Sequence, residues 1–232
     1  DGFLINGAKT FITNGHIADY ILLATKTEPD LGAKGVTLFW LDLSLPGVSR
    51  GRDLNKIGNK AQDTAELFFD NVSVPAANIV GGINNGWQVL IDGLAQERLV
   101  VAVRSMVLAE VAVDQTIEYT KQRKAFDQTV FDFQNTQFKL AEMTADVEAG
   151  RPLVDRCIAQ HVTSGLSPVL AAKAKLWTTE LADRVLDECL QLHGGYGYMW
   201  EYPIARAWAD ARGHRIYAGT NEVMKYIIAR DL

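Results

Sequence analysis

The apolar positions of this 232-residue chain change period part-way along. Up to about residue 84 they fall in short runs rich in β-branched and aromatic residues, at 20–25, 36–40 and 65–69. Turn signals separate the runs, among them Asn14-Gly15, Leu31-Gly32, Pro46-Gly47 and Asp70-Asn71. Such runs predict strands, and with no helix-length pattern between them to carry a parallel crossover, the sheet is expected to be antiparallel. Strand spacing and turn density point to part of a β-barrel or sandwich.

From about residue 85 the apolar residues recur every three to four positions. Leu99, Val103, Met106, Val113 and Ile117 make one stripe, Phe133, Leu140, Met143 and Val147 a second, and Leu170, Ala174, Trp177, Leu181 and Val185 a third. Each stripe predicts a long amphipathic helix. Ser167-Pro168 reads as an N-cap followed by proline in the first turn, and Gly194-Gly195 closes the third helix. Two shorter helices are expected near 203–212 and 221–230. Pro152 lies inside the second helix and predicts a kink or local break. The expected fold class is α+β: a partial antiparallel β domain, 1–84, then an up-down α-helical bundle, 85–232.

Composition adds exclusions. Apolar residues make up 48 %, which is ordinary for a globular protein. The net charge of −5 gives no support to nucleic-acid binding, and no apolar run is long enough for a membrane span. Cys157 and Cys189 both sit in helical patterns, so a disulfide framework is not expected. The four histidines are scattered and define no metal site. The opening residues, Asp1 to Gly7, read as the middle of a β structure without a leader. The expected location is a bacterial cytoplasm, or a mitochondrial matrix if the source is eukaryotic.

The chemistry-bearing segments are few. Gln191-Leu192-His193-Gly194-Gly195-Tyr196-Gly197-Tyr198 ends a helix in a glycine-rich loop, where backbone N–H groups can approach a phosphate. A helix C-cap and turn would explain two of those glycines equally well. Arg123 has the fork that pairs with phosphate oxygens, although beside Lys121 and Lys124 it also fits a solvated basic face. Taken together with Phe11-Ile12-Thr13-Asn14-Gly15, Gln122 to Phe126, Gln134 to Met143, Asp210-Ala211-Arg212 and Ile216 to Glu222, these segments resemble the acyl-CoA dehydrogenase family in order and spacing. The resemblance covers essentially the whole chain. It implies the end of the family's middle β domain and its C-terminal helical domain, with the N-terminal helical domain absent.

The resemblance implies FAD as cofactor and α,β-dehydrogenation of an acyl-CoA thioester in fatty acid β-oxidation. A hydride would pass to flavin N5, and electrons onward to an electron-transfer flavoprotein. Phe11 and Thr13 would meet the flavin ring. Arg123, Phe126 and Gln134, with Gln191, Leu192, Gly194 and Gly195, would hold the pyrophosphate and adenosine end from a neighbouring subunit of a homotetramer, a dimer of dimers. Thr220 and Glu222 would touch the FAD of their own site. Ala125 and Asp127 stand where relatives often carry threonine and glycine.

The best-known members place their catalytic glutamate after the tyrosine of the last motif, where this chain has Ala218. In the branch resembling long-chain and isovaleryl-CoA dehydrogenases the glutamate comes from the first long bundle helix, and here Glu97 occupies that position. The complementary exchange implies Glu97 as base, Arg98 as its orienting neighbour, and the Gly219 backbone as donor to the thioester carbonyl. Favouring the helix N-terminal dipole is the simpler role open to Glu97. An acyl-CoA oxidase or flavin monooxygenase of the same fold, and a non-catalytic fragment or assembly subunit, are the alternatives.

Overall fold

The computed structural model of the chain describes residues 2–232, which form two compact units dividing after Gly93. In the first unit β1 (Gly2–Thr13), β5 (Thr64–Pro75) and β4 (Val48–Asp53) form one sheet in the order β1-β5-β4. A second sheet has the order β2-β3-β6, from β2 (Tyr20–Lys26), β3 (Val36–Asp42) and β6 (Ile79–Val80). Every pairing is antiparallel, as the strand pattern predicts, but the strands make two three-stranded sheets and no closed barrel.

Alternation sets the inner faces. Leu67, Phe69, Val72 and Val74 of β5 are buried, and they join Ile5, Leu23, Phe39 and Leu41 in one apolar core. The step from Phe69 to Val72 keeps both residues inside only because Asn71 takes a left-handed φ of 49°. β1 has a register irregularity between Lys9 and Ile12, and within it Phe11 adopts φ 63°. A bulge of this kind re-aims a side chain. Phe11 is turned out, 77 % exposed.

The first unit runs past residue 84 because the start of the first helix packs on the sheets. A Cβ on Gly86 would stand 2.9 Å from the backbone and side chain of Leu38. That helix, α1 (Gly86–Gln122), leads into the second unit.

The second unit also holds α2 (Gln134–Ser164), α3 (Pro168–His193), α4 (Pro203–Ala211) and α5 (Asn221–Ala229). Ser167 caps α3 through its hydroxyl, which accepts from the Leu170 N–H, with Pro168 following in the first turn as expected. The predicted break at Pro152 is not present: α2 runs through it without interruption. Two cross-helix supports flank the site. Arg151 reaches both carboxylate oxygens of Glu110 on α1 at 2.7 Å, and Gly150 leaves room for the Trp177 ring of α3 where any Cβ would collide. Packing therefore offsets the lost i→i−4 bond. The same contact corrects the third stripe, since Trp177 is 39 % exposed and lies over Gly150 at the edge of the core.

The buried centre of this unit gathers Met106, Ala109, Val113, Leu140, Met143, Val154, Leu181, Val185, Leu186 and Cys189. Cys157 and Cys189 are free and buried. No helix among the described residues is long and apolar enough to cross a membrane.

Candidate cofactor and catalytic sites

Two groups of implied residues lie in the helical unit. The first gathers at the end of α3. Gly194 terminates α3 with φ 58°, and its N–H returns to the Gln191 carbonyl. Across from it, α1 ends at Gln122 and the chain makes a small hairpin, β7 (Lys124–Ala125) with β8 (Gln128–Thr129). The hairpin was not expected from sequence. Its two central residues, Phe126 and Asp127, both have positive φ, 53° and 64°, as a type I′ turn requires. Aspartate tolerates this geometry better than most residues. Phenylalanine does not, and the turn leaves Phe126 90 % exposed with its ring edge toward Phe133, 6.3 Å between centroids.

Between these ends lies a cavity of about 460 Å³ lined by Tyr119, Arg123, Gln191, Leu192, Gly194 and Gly195, among others. Its aromatic wall is fixed by stacking. The Tyr119 ring lies on His193 at 4.2 Å, and the Tyr119 hydroxyl donates to the His193 carbonyl at 3.1 Å. Arg123 sits over the Tyr196 ring at 5.4 Å. Burial pushes the His193 pKa down despite the help of the Cys189 carbonyl beside its Nδ1, so the ring is neutral near pH 7. Tyr119 and Tyr196 were not singled out from sequence, because aromatic residues on a helix and in a loop are ordinary core material.

The three glycines of this loop are not equivalent. A Cβ on Gly197 would run into the Leu190 carbonyl, and Gly194 needs its left-handed backbone. Gly195 has neither reason, since its φ is ordinary and a Cβ there would meet nothing within 4 Å. A bare backbone facing open space beside an arginine suits a phosphate-bearing ligand. Gln134 is exposed at the first residue of α2, on the chain stretch that carries Arg123 and Phe126, but neither it nor Phe126 lines the cavity.

The second group surrounds the turn before α5. Ala218 and Gly219 are consecutive left-handed residues, φ 55° and 88°. Thr220 then caps α5 by accepting from the Val223 N–H. Glu222 is exposed, and its own N–H and the Thr220 hydroxyl hold its carboxyl below the usual range. The Lys175 ammonium of α3, fully buried, donates to the Gly219 carbonyl and to Asn221 Oδ1, both at 2.8 Å. Asn221 donates in turn to Glu180, at 2.8 Å, and Glu180 pairs with Arg215 at 3.1 Å.

On α1, Arg98 is buried, its Nε without a hydrogen-bond partner, and burial lowers its pKa while Glu97 raises it. Arg98 is near enough to Lys175 to oppose its charge, so the 97–98 stretch and the 218–219 turn share one neighbourhood. Glu97 itself is exposed. His214 is fully buried behind the turn, 2.8 Å from the Ser105 hydroxyl through Nδ1 and edge-on to Tyr217 at 5.6 Å.

Phe11 and Thr13 belong to the β unit. Thr13 is exposed at the end of β1, opposite Thr64, and the turn after it is held by the Asp63 carboxylate, which accepts from the His16 N–H at 2.8 Å. No cluster of histidine, cysteine and carboxylate groups among the described residues is arranged to hold a metal ion.

Comparison with known proteins decides the family. The C-terminal domain of acyl-CoA dehydrogenase matches residues 84–232, and the middle domain matches residues 1–72. The chain belongs to the acyl-CoA dehydrogenase family. It is similar to the mitochondrial long-chain specific acyl-CoA dehydrogenase of Sus scrofa, 46 % identical over 232 residues, covering 99 % of this chain and 54 % of that protein. The chain thus spans about half the length of the curated relative it matches. Among solved structures, the acyl-CoA dehydrogenase of Geobacillus kaustophilus superposes with TM-score 0.96 at 49 % identity, covering all of this chain and 61 % of that one. An acyl-CoA dehydrogenase from Bacillus anthracis, solved in complex with FAD, superposes at 0.91 with 29 % identity over 99 % of this chain and 42 % of that one.

The glycine assignments can be checked by substitution. Gly197→Ala is expected to destabilise the fold by about 1–3 kcal/mol through overpacking, whereas Gly195→Ala leaves stability within roughly 0.5 kcal/mol. Thermal unfolding together with FAD titration distinguishes them. A phosphate-bearing ligand of this cavity, with FAD as the probe, is expected to bind less tightly to Gly195→Ala, and unchanged affinity would remove Gly195 from the site.

Proposed function

We propose that the chain is the middle and C-terminal part of an FAD-dependent acyl-CoA dehydrogenase in which Glu97 takes the α-proton of an acyl-CoA thioester. The observation that carries this reading is the turn at Ala218–Gly219. It carries no carboxylate, its backbone is fixed by Lys175, and it shares a neighbourhood with Arg98, the residue next to Glu97.

Each residue's work follows from its chemistry. Gly219 offers its N–H to the thioester carbonyl, which makes the α-proton more acidic by stabilising the developing enolate. Glu97 accepts that proton, and Arg98 beside it limits the orientations of the base. FAD, when bound, supplies the acceptor for the β-hydride. Arg123, Gln191, Leu192, Gly194 and Gly195 suit its pyrophosphate and adenosine end, with Phe126 and Gln134 on the adjoining stretch. Thr220 and Glu222 do not line that cavity, which supports their serving a different cofactor copy from the one Arg123 serves, as in a homo-oligomer. Phe11, turned out by its bulge, and Thr13 are proposed to face the flavin ring. An electron-transfer flavoprotein is the proposed oxidant of the reduced enzyme.

The test is anaerobic titration of the full-length protein with acyl-CoA thioesters of increasing chain length, read by bleaching of the flavin absorbance. Bleaching is expected, and the likeness to a long-chain specific relative makes long chains the first to try. A flavin that stays oxidised with every thioester defeats the proposal.

A further inference from the structure

Among the described residues, Lys175 is the one buried lysine, and it makes no close ion pair there. Removing an ammonium from water is costly, and a well-packed apolar side chain of similar volume is often at least as stabilising at such a position. The function of the charge is therefore to be sought in what it touches. Its two acceptors are the Gly219 carbonyl in the turn before α5 and Oδ1 of Asn221, the first residue of α5. That turn is otherwise lightly held. Tyr217 N–H reaches the Gly213 carbonyl and Thr220 caps α5, but Ala218 and Gly219 between them sit in left-handed backbone outside any helix or strand. For alanine this conformation costs roughly 1–2 kcal/mol. Gly219 has a further constraint, because a Cβ there would stand 2.8 Å from the Met224 methyl.

We propose that Lys175 is a positioning residue for proton abstraction: its ammonium clamps the Gly219 carbonyl and Asn221, and so fixes the direction in which the Gly219 N–H is offered to the thioester. The proposal rests on the reading of Gly219 as the carbonyl donor. The charged groups acting on the ammonium are Glu222 on α5, Arg98 on α1, Glu180 on its own helix and Arg215 in the turn after α4; His214, in that same turn, also feels Lys175 but is neutral across the pH range in question. Two raise its pKa and two lower it, which leaves burial, the largest influence, to bring it down to about 8. The clamp consequently weakens within an accessible pH range, as charge-assisted bonds give way to neutral ones.

The experiment uses the full-length holoenzyme and Lys175→Met, which keeps the length of the side chain without its donors. The variant is expected to keep its FAD and its melting temperature, while kcat for flavin reduction falls roughly 100-fold, the size of one lost oxyanion donor. KM should change less than about threefold, since the interaction matters chiefly in the transition state. In wild type kcat should fall above pH about 8, and in Lys175→Met that limb should vanish. Amide exchange of residues 218–222 should quicken in the variant, and in wild type as pH rises beyond the intrinsic trend. A variant with wild-type kcat and pH profile overturns the proposal. If Lys175→Met loses FAD or fails to fold, wild type decides: protection of 218–222 that does not loosen between pH about 7 and about 10 overturns it. If no acyl-CoA reduces even the wild-type flavin, the functional reading fails. The clamp is then judged by exchange alone, and unchanged exchange in Lys175→Met overturns it.

Discussion

Glu97→Gln in the full-length enzyme should slow flavin reduction by acyl-CoA by about 10³- to 10⁴-fold while leaving FAD bound, because the amide is similar in shape but cannot accept the proton. The side chain is exposed on α1 and the substitution keeps its size, so stability should stay within roughly 0.5 kcal/mol of wild type. Arg98 cannot substitute, being a buried guanidinium that stays protonated at any accessible pH. The loop position offers a second arm. Ala218 already occupies left-handed backbone, so Ala218→Glu adds little new backbone strain. Ala218→Glu combined with Glu97→Gln should recover part of the lost rate. Rapid-mixing spectroscopy of the flavin under anaerobic conditions reads all three proteins. Wild-type reduction by Glu97→Gln would show that the base lies elsewhere.

A second large effect is expected in acid. His214 is buried, and desolvation, with Arg104 adding to it, pushes its pKa from 6.5 down to about 4. Its native form is therefore neutral where the unfolded chain is already protonated. The resulting stability is complete above pH about 6.5 and is lost as pH falls toward about 4. At about 1.4 kcal/mol per unit, the loss amounts to roughly 3 kcal/mol from this one ring. His214→Asn should be less stable than wild type at neutral pH, with the gap closing by about that amount at pH about 4. Denaturant unfolding across this range tests it, and two curves that stay parallel would mean His214 does not titrate with unfolding. Lys175 acts in a separate window: its depressed pKa makes global unfolding stability rise with pH between about 8 and 10.5, even as its two bonds at the start of α5 weaken locally.

The helices are legible because burial follows a period near 3.6: the stripe of α1 and, from Leu140 on, that of α2 fall in or beside the core, whereas Phe133 stands just before α2 and joins neither cluster. Trp177 shows the limit of that signal. Its spacing fits the third stripe, yet a glycine on the preceding helix lets the ring lie at the boundary. Pro152 shows another, since the proline rule is local and the packing that tolerates it is not. Lys175 could not be found by pattern. Lys173 and Lys175 stand two apart in the same alanine-rich stretch, one exposed and one buried, and the acceptors that decide between them lie 44 and 46 residues away. Backbone strain was equally hidden. Glycine advertises a left-handed position in a sequence, whereas Phe11 and Phe126 carry no such mark. The pairing of Glu97 with Ala218 was legible only through resemblance to a family, for nothing in spacing alone joins residues so far apart.

The two unpaired thiols give the bundle an internal clock. Cys157 and Cys189 are enclosed, and burial pushes the Cys189 thiol up to about 11, so neither presents a thiolate to reagents at neutral pH. Modification by a thiol-specific probe must wait for the helices to part. Its rate thus reports how often the core opens, with no engineered label, and binding of a ligand that closes the bundle would be read as a slower clock.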